Sequence, residues 1–360
     1  MKINNRMENI EEYHFKKIGD MKKKLILQGR KIFDFSIGDP DIAVDDRITK
    51  KLIDSLSSRY FNRYPPYNGI KELRDSVKKY YDMLGIKLED DEILILIGSK
   101  EGIFNTIPAV CSFNDYALIP NPSYPVYETS CRLWGVIPYK VPLKENMSYM
   151  ADLRYIPDEI VRKSKIFIIN YPNNPTGAAA DENFYKEIVD FCYNNNIVLC
   201  NDGAYNDIIP EDKETLSILK YGKGKNCIEF GSLSKTFSMP GFRVGYVAGN
   251  REIINNIAKV KSNADSGQFV PIQMAAVEAF NIYNDCVKNV RHIYDMRRKC
   301  AYDLLKKSEI RFFKGDSTFY VWCNVPLGYT TDEFCSILLN KYNIIVTPGY
   351  AFGNLGYGYF

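Results

Sequence analysis

The chain has little of what several large classes of protein require. Only two of its 360 residues are histidines, His14 and His292, so zinc binding and histidine-based acid catalysis are poorly supplied. Its 47 basic and 44 acidic residues nearly cancel to a formal net charge of +3, and the lysines are mixed with acids apart from residues 22–24. This balance predicts no nucleic-acid partner.

Paired cysteines and long apolar runs are also missing. The nine cysteines are an odd number, and none forms a Cys-x-x-Cys pair. We interpret them as reduced core residues of a cytoplasmic protein rather than as a disulfide frame or a metal site. The longest pure aliphatic run, residues 93–97, is too short to span a membrane, and residues 1–30 contain no apolar signal core. We therefore expect no membrane association and no bound metal.

The chain does contain a series of short apolar runs, each followed by a turn and then a helical pattern. The runs occupy residues 93–97, 116–119, 165–169, 197–200 and 227–230. Continuous apolar strands separated by helices are typical of an α/β fold, in which a mostly parallel sheet is covered on both faces. A polar cluster follows every run, and the ligand crevice of such sheets lies at the carboxyl ends of the strands. We therefore expect the clusters to meet in one crevice.

The length allows two domains, and the pattern changes near residue 271. The later patterns are a long helical stretch through residue 307, a strand-like run at 319–322, a helix near 331–339 and a strand-like run at 344–346. We expect a large domain over residues 46–284. A smaller α+β domain would combine residues 1–45 with residues 285–360.

The segment Ser232-Leu233-Ser234-Lys235, with Arg243 eight residues later, carries the most specific chemistry. A lysine that forms an imine with a cofactor needs neighbours that place the cofactor's anionic group, and Ser232, Ser234 and Arg243 are suited to holding a phosphate. The combination resembles the cofactor-lysine segment of fold-type I enzymes that use pyridoxal phosphate. Standing alone, the same segment could be a surface turn.

Pyridoxal phosphate has further requirements, and each has a candidate. Asp202 would pair with the pyridine nitrogen, and Asn174 and Tyr205 would donate to the phenolic oxygen of the ring. Tyr124 would cover the ring face. Lys235, Asp202 and Tyr205 are thus the expected catalytic residues. Each motif also has a plainer interpretation, since Asp-Gly and Asn-Pro-Thr-Gly sequences form turns and Tyr124 is one of 27 tyrosines.

The stretch Gly98-Ser99-Lys100-Glu101-Gly102 opens a predicted helix directly after a strand. Its free amides and helix dipole suit a phosphate, which makes Ser99 and Lys100 candidate cofactor-binding residues. Short glycine-containing turns of this kind are common, so the stretch is informative only beside the lysine segment.

Three segments together match, in order and spacing, the motifs of class I/II aminotransferases of fold type I. They are Asn174-Pro175-Thr176-Gly177, Asp202-Gly203-Ala204-Tyr205, and Ser232-x-Ser234-Lys235 with Arg243. The similarity runs from about Phe33 to the C-terminus. It implies a large domain with a mostly parallel seven-stranded sheet between helices, and a homodimer with shared active sites. In that family a tyrosine that matches Tyr64 reaches the phosphate of the partner subunit.

Within the family the chain is similar to the LL-diaminopimelate aminotransferase branch, at residues 98–102, 121–127 and 261–269. The branch implies that Lys100, Asn174 and Asn263 bind the substrate, with Asn263 supplied by the second subunit. Gly38 would lie by the substrate carboxylate. Better-characterised members place a glutamate, which contacts the distal ammonium, where this chain has Tyr67, so the resemblance leaves open which amino acid is the donor.

The late motif of the family matches residues 348–359 and continues to an arginine that binds the substrate's α-carboxylate. This chain ends at Phe360. Either the sequence is truncated or the protein lacks this arginine. We expect truncation, because the motif is regular up to its last residue.

The sequence thus predicts a pyridoxal-phosphate-dependent aminotransferase that uses a Lys235 imine. It would move an amino group between an amino acid of the LL-diaminopimelate or aspartate type and a 2-oxo acid such as 2-oxoglutarate. Two alternatives share the same cofactor residues. One is another pyridoxal phosphate reaction on this fold, as in a β-lyase or a synthase, and the other is a non-catalytic paralogue that binds the cofactor.

Overall fold

The computed structural model describes residues 4–10, 14–59 and 61–360. The helices are α1 (His14–Leu27), α2 (Asp46–Ser55), α3 (Lys71–Met83), α4 (Ser99–Val110), α5 (Val126–Trp134), α6 (Asp158–Lys163), α7 (Glu182–Asn194), α8 (Leu219–Gly222), α9 (Leu233–Thr236), α10 (Arg251–Ala264), α11 (Val270–Asn281), α12 (Tyr283–Lys307) and α13 (Thr331–Tyr342). The strands are β1 (Phe33–Asp34), β2 (Ile93–Leu96), β3 (Tyr116–Asn121), β4 (Ile137–Pro142), β5 (Ser164–Ile169), β6 (Val198–Asp202), β7 (Cys227–Ser232), β8 (Gly245–Gly249), β9 (Phe312–Phe313), β10 (Trp322–Cys323) and β11 (Ile344–Ile345).

One seven-stranded sheet forms the centre of the molecule, in the order β2-β8-β7-β6-β5-β3-β4. Neighbouring strands are parallel except at β8, which runs antiparallel to β2 and to β7. The expected α/β fold with a mostly parallel sheet of seven strands is therefore confirmed.

The five predicted apolar runs all form strands of this sheet. Their side chains are buried on both faces of the sheet. In β5, Phe167 and Ile169 pack in one hydrophobic cluster with Ile188 of α7. Ile166 and Ile168 pack in a second cluster on the opposite face, which includes residues of α4 and α10. A strand covered on both sides has no polar face and so forms a continuous apolar run in the sequence.

The other two strands of the sheet, β4 and β8, carry no such run. Strand β4 lies at the edge, is partly exposed and contains Pro138 and Pro142. Strand β8 begins and ends with Gly245 and Gly249. A Cβ on Gly245 would lie 2.6 Å from the backbone N of Ser99, so glycine allows β8 to approach the start of α4.

The C-terminal part differs from the prediction in two places. The expected single helix of residues 271–307 is two helices, α11 and α12, which are separated at Ile282. The strand expected at 319–322 is wrong apart from its last residue, since β10 comprises only Trp322 and Cys323. The preceding backbone instead turns at Thr318, which is fully buried and has a φ of 61°.

Strand β1 pairs in parallel with β11, with Phe33 opposite Ile344, and so joins the N-terminal segment to the C-terminal part. This pairing is compatible with the proposed smaller domain, whose boundaries stay a prediction. Within the described residues, no helix combines the length and the apolar character needed to cross a membrane.

Candidate active site

Two loops that carry predicted site residues begin at the same edge of the sheet. Strand β6 ends at Asp202, and β7 ends at Ser232, after which α9 carries Lys235. The two strands are adjacent and parallel, and Asp202 pairs with Phe230. Tyr205 connects the two loops, because its ring centroid lies 6.0 Å from Nζ of Lys235.

The Lys235 amine lies in a partly desolvated position. Its Nζ donates a hydrogen bond of 2.6 Å to the carbonyl of Gly38 and lies 5.5 Å from the ring centroid of Phe319. Burial lowers the pKa of Lys235 to about 8; the Asp39 carboxylate opposes this shift and the Arg243 cation adds to it. An amine with such a pKa is partly neutral near pH 7, so it can act as a nucleophile or a base.

Asp202 is a buried carboxylate with neutral partners. It is 5% exposed and accepts hydrogen bonds from the Tyr127 hydroxyl at 2.8 Å and from the Ala204 amide at 3.4 Å. Desolvation raises its pKa to about 6, although both hydrogen bonds act in the opposite direction. A buried carboxylate with neutral partners is costly to ionise, and a nearby cation would favour its charged form.

Asn170, directly after β5, connects the Asn174 loop to the Asp202 loop. Its Nδ2 donates to the Asp202 carbonyl at 2.6 Å, and its Oδ1 accepts from the Asn174 amide at 2.7 Å. Asn174 is 8% exposed, and its Oδ1 has no hydrogen-bond partner among the residues that the structure describes. Rotation of this amide would present its NH₂ donors at the same point, so Asn174 is available to a polar ligand.

Two predicted tyrosines lie beside these loops. Tyr205 is buried, its hydroxyl lies 2.7 Å from the Tyr320 hydroxyl, and burial raises its pKa, so the hydroxyl keeps its proton. Tyr124 packs edge-on against Tyr127 with ring centroids 5.8 Å apart. Because Tyr127 donates to Asp202, Tyr124 lies at the aspartate end of the crevice.

The start of α4 forms one side of a candidate anion site. Gly98 has a φ of 75°, and the helix begins at the next residue, Ser99. A Cβ on Gly98 would overlap Nη2 of Arg243, so the guanidinium lies against the helix start. The Lys100 side chain is exposed as a whole, but desolvation and repulsion from Arg243 lower its pKa. Two cations and a helix N-terminus therefore face one region.

The serines of the lysine segment border the same region. Ser232 pairs with Gly245 across β7 and β8, and Gly245 is the glycine that approaches Ser99. The Ser232 Oγ accepts from the amide of Ser234 at 3.3 Å and so caps α9. The structure thus places Ser99, Lys100, Ser232 and Arg243 near one end of the crevice, and Ser234 follows Ser232 by two residues.

Two predicted site residues remain at the surface of the single chain. Tyr64 is 87% exposed. Asn263 is also exposed, and its Nδ2 donates to the Lys259 carbonyl of its own helix at 2.8 Å. Tyr67, at the position of the missing glutamate, is 55% exposed.

Four site residues were missed by sequence reasoning: Asn170, Tyr127, Phe319 and Tyr320. Asn170 could have been found, because it directly follows an apolar run. Tyr127 lies three residues after Tyr124, and its amide donates to the Tyr124 carbonyl at 3.2 Å in the turn that leads into α5. Phe319 and Tyr320 gave no such signal, because their segment resembles an ordinary strand.

The side chains present fit pyridoxal phosphate. Asp202 offers a buried negative charge for a protonated ring nitrogen, and the α4 region offers an anion site. Asn174 offers an amide whose Oδ1 has no partner among the described residues, and which can turn its NH₂ group toward a phenolic oxygen. Among the described residues no group of three or more potential metal ligands is found.

Comparison with known proteins gives a consistent result. The family model described as aminotransferase class I and II matches residues 30–357. The LL-diaminopimelate aminotransferase of Natranaerobius thermophilus is 39% identical over 363 residues, which cover 100% of this chain and 94% of that protein. The LL-diaminopimelate aminotransferase of Aquifex aeolicus is 38% identical over 361 residues, which cover 99% of this chain and 93% of that protein.

Among solved structures, substrate-bound BacF from Bacillus subtilis is similar with a TM-score of 0.95 and 29% identity, covering 100% of this chain and 92% of that one. From the family match, the relatives and the fold, we conclude that the chain belongs to the class I and II aminotransferases, pyridoxal-phosphate-dependent enzymes that move an amino group between an amino acid and a 2-oxo acid.

Proposed function

We propose that Lys235 carries the pyridoxal phosphate of this aminotransferase, and that its amino donor is LL-diaminopimelate or a similar amino acid such as aspartate. A 2-oxo acid of the 2-oxoglutarate type would be the acceptor. The observation that carries the assignment of Lys235 is its amine, with a pKa of about 8, beside the ends of the strands that also position the buried Asp202. The names of the relatives support the donor class.

The cofactor ring would be held by four side chains. Asp202 would face the protonated ring nitrogen, Asn174 and Tyr205 would donate to the phenolic oxygen, and Tyr124 would cover one ring face. Pyridoxal phosphate, when bound, withdraws electrons from the bonds at the substrate's α-carbon. The protein contributes orientation, since hydrogen bonds hold the Asp202 and Tyr205 side chains and the backbone amide of Asn174.

The phosphate would lie at the start of α4. There the free amides at Ser99, the hydroxyls of Ser232 and Ser234, and the Arg243 guanidinium supply donors of suitable charge. The nearby Lys100 adds a second cation and, in the resemblance to the branch, also lies close to the substrate.

Lys235 would also move the proton that the reaction requires. With a pKa of about 8, roughly one amine in ten is neutral at pH 7 and can accept a proton from the α-carbon. The bond to the Gly38 carbonyl orients the amine, and the same amine can return the proton in the second half of the reaction.

A second copy of the chain would complete the site, with Tyr64 at the cofactor phosphate and Asn263 at the substrate. Tyr64 and Phe269 are 87% and 41% exposed. A Cβ on Gly267 would lie 2.8 Å from Pro65, so the loop of Tyr64 and the loop after Asn263 are neighbours. Exposed aromatic side chains grouped in this way are typical of an interaction surface, which supports the proposed homodimer.

The lysine assignment can be tested by chemical trapping. We expect pyridoxal phosphate to give a visible absorption band, and borohydride reduction followed by peptide mapping to find the label on Lys235. Lys235→Ala should lose both signals, whereas the exposed control Lys186→Ala should keep them. A label on a different lysine would refute the assignment.

The donor can be identified by a spectral screen. LL-diaminopimelate, aspartate and other amino acids are added singly to the loaded enzyme, and conversion to the pyridoxamine form is recorded. Release of ammonia and pyruvate would indicate lyase chemistry, and no spectral response to any amino acid would favour the non-catalytic paralogue.

The shared site can be tested with mixed dimers. We expect Lys235→Ala to inactivate the enzyme and Tyr64→Ala to weaken it, whereas a heterodimer of the two has one site with both native residues. We expect mixing under exchange conditions to restore activity. Failure to restore it, with heterodimer formation verified by differential tagging, would contradict the contribution of Tyr64 from the second copy.

We also propose a cytoplasmic location. All nine cysteines are unpaired, and five are buried, which suits a reducing compartment. Cell fractionation with an antibody against the protein would test this location.

A further inference from the structure

Tyr320 lies at the centre of the site, although no motif points to it. Its hydroxyl is 2.7 Å from that of Tyr205, and the two rings are 5.6 Å apart at an interplanar angle of 70°. A Cβ on Gly38 would overlap the Tyr320 hydroxyl. The Gly38 carbonyl accepts from the Lys235 amine. Tyr320 therefore packs against Tyr205 and also against the residue that binds the lysine amine.

The backbone that carries Tyr320 is fixed from several sides. The amide of Thr318 donates to the Ile208 carbonyl at 2.7 Å, and the Thr318 carbonyl accepts from Nη1 of Arg298 at 2.5 Å. The Thr318 hydroxyl in turn accepts from the amide of Tyr320 at 3.1 Å. A β-branched residue with a φ of 61° is unusual and persists only where the surroundings enforce it. This enforced turn places Tyr320 next to Tyr205.

We propose that Tyr320 is a positioning residue that orients the Tyr205 hydroxyl and strengthens the hydrogen bond which Tyr205 donates to the phenolic oxygen of the cofactor. This inference rests on the proposed role of Tyr205. Tyr205 has a single hydroxyl hydrogen. When that hydrogen forms the hydrogen bond to the cofactor, the Tyr205 oxygen can only accept the hydrogen bond that it shares with Tyr320. In a chain of hydroxyl groups each bond polarises the next one, which makes Tyr205 a better donor.

Other charged and titratable groups face the same atoms and remain in place when Tyr320 is changed. Asp202 and Tyr124 act on the Tyr205 hydroxyl. Asp39 and Arg243 act on the Lys235 amine. Their effects therefore cancel when the native protein is compared with variants that lack only a hydroxyl group.

The proposal is tested by titrating the loaded enzyme with pH and recording the absorbance of the bound cofactor. The measured quantity is the pH at the midpoint of the absorbance change. A weaker donor at the phenolic oxygen leaves more negative charge there to hold a proton, so the midpoint moves to higher pH. We expect Tyr205→Phe to raise it by about one pH unit, the effect of a hydrogen bond to a charged group. Tyr320→Phe keeps the ring and should raise it by roughly 0.3 unit, in line with cooperative strengthening of 10–30%.

The double variant shows whether the effect passes through Tyr205. In the Tyr205→Phe background, Tyr320→Phe should cause no further shift. Tyr294→Phe is the matched control, because Tyr294 is buried in the same aromatic cluster, packs on Phe319, and should leave the midpoint unchanged.

The shifts of the midpoint in these variants distinguish the role of Tyr205 from that of Tyr320. If Tyr205→Phe leaves the midpoint unchanged, the proposed role of Tyr205 fails and the inference fails with it. If Tyr205→Phe shifts the midpoint but Tyr320→Phe does not, only the inference fails. Equal shifts from Tyr320→Phe in both backgrounds would also overturn it, since the effect would then bypass Tyr205.

Discussion

The inner and outer parts of the site are built differently. At the inner part, Asp202, Asn174 and Tyr205 are 5%, 8% and 6% exposed, and bonds within the chain hold them. At the outer part, Tyr64 and Tyr67 are 87% and 55% exposed. One chain thus assembles the proposed binding site for the cofactor ring by itself.

This difference in burial indicates that the inner and outer parts of the site have different roles. The inner groups lie at strand ends inside a packed core, so their geometry is set by folding and varies little. The outer groups lie on surface loops, where a second copy and the substrate can still change their environment. We therefore expect variants at the inner part to affect chemistry and stability, and variants at the outer part to affect binding.

The largest effect is expected from Asp202→Asn. This change removes the proposed negative partner of the ring nitrogen, and breaking a buried charge pair costs ~3–5 kcal/mol, or roughly two to four orders of magnitude in kcat/KM. The matched control is Glu229→Gln, a fully buried carboxylate of β7 that accepts from Tyr81 and Ser217. The control should lower the free energy of unfolding but leave the cofactor spectrum unchanged. Equal activity losses in both variants would remove the special role of Asp202.

The next effect concerns the stability of the cofactor-free protein. The pKa of Lys235 is about 8 in the folded chain against an ordinary 10.5, so between these pH values the unfolded chain binds more protons. The free energy of unfolding should therefore rise with pH across this window. At pH 7 the full cost of burying the charged amine, at most about 3.4 kcal/mol, is present.

Lys235→Met removes this buried charge and should raise the free energy of unfolding at pH 7 by about 2–3 kcal/mol, with the gain shrinking above pH 8. Denaturant unfolding at several pH values measures it. The control is Lys261→Met, because Lys261 is buried but paired with Asp265 at 2.6 Å, so its loss should destabilise the protein at pH 7. A Lys235→Met variant that is less stable than the native chain at pH 7 would contradict the depressed pKa.

A smaller effect is expected from Tyr127→Phe. Loss of the hydroxyl that donates to Asp202 at 2.8 Å should raise the pKa of that carboxyl further above its usual range. The acidic limb of the activity profile should then move to higher pH by about one unit, corresponding to ~1–2 kcal/mol. Tyr185→Phe, at a buried tyrosine of α7 that donates to the Tyr171 carbonyl, should not move this limb. Equal profiles for all three proteins would show that the Tyr127 bond does not tune Asp202.

The smallest effect is expected at the outer part. Tyr64→Phe removes one hydroxyl from an exposed side chain, and we expect the dissociation constant of pyridoxal phosphate to rise about fivefold, or ~1 kcal/mol. Its thermal unfolding should be unchanged, because the ring is 87% exposed in the single chain. An unchanged cofactor affinity in the verified dimer would place Tyr64 outside the site.

Much of the fold could be predicted because strands buried on both faces leave a continuous apolar run. The runs before Asn170 and Asn201 are of this kind, and the polar residues that follow them lie at the expected edge. Strand β8 could not be found in this way, since Gly245 serves close approach to the start of α4 and Gly249 close approach to the backbone of β7, rather than hydrophobic burial.

The site residues also differ in whether the local sequence indicates them. Lys235 and Asp202 follow apolar runs directly, and their chemistry is evident from residue type and position. Tyr320 and Phe319 are surrounded by residues that resemble a strand, and only the turn at Thr318 directs them into the crevice. That turn depends on Arg298, a partner 20 residues away along the chain, which no local pattern can indicate.

The amino-acid sequence alone determined the α/β architecture, the class of cofactor and the lysine and aspartate that would bind it, because apolar periodicity and residue chemistry are local properties. The tertiary structure decided which side chains touch these residues. Two of these contacts are the hydrogen bonds from Tyr127 to Asp202 and between Tyr320 and Tyr205, which join distant parts of the chain. Such contacts exist only after the sheet, its helices and the C-terminal segment have packed together.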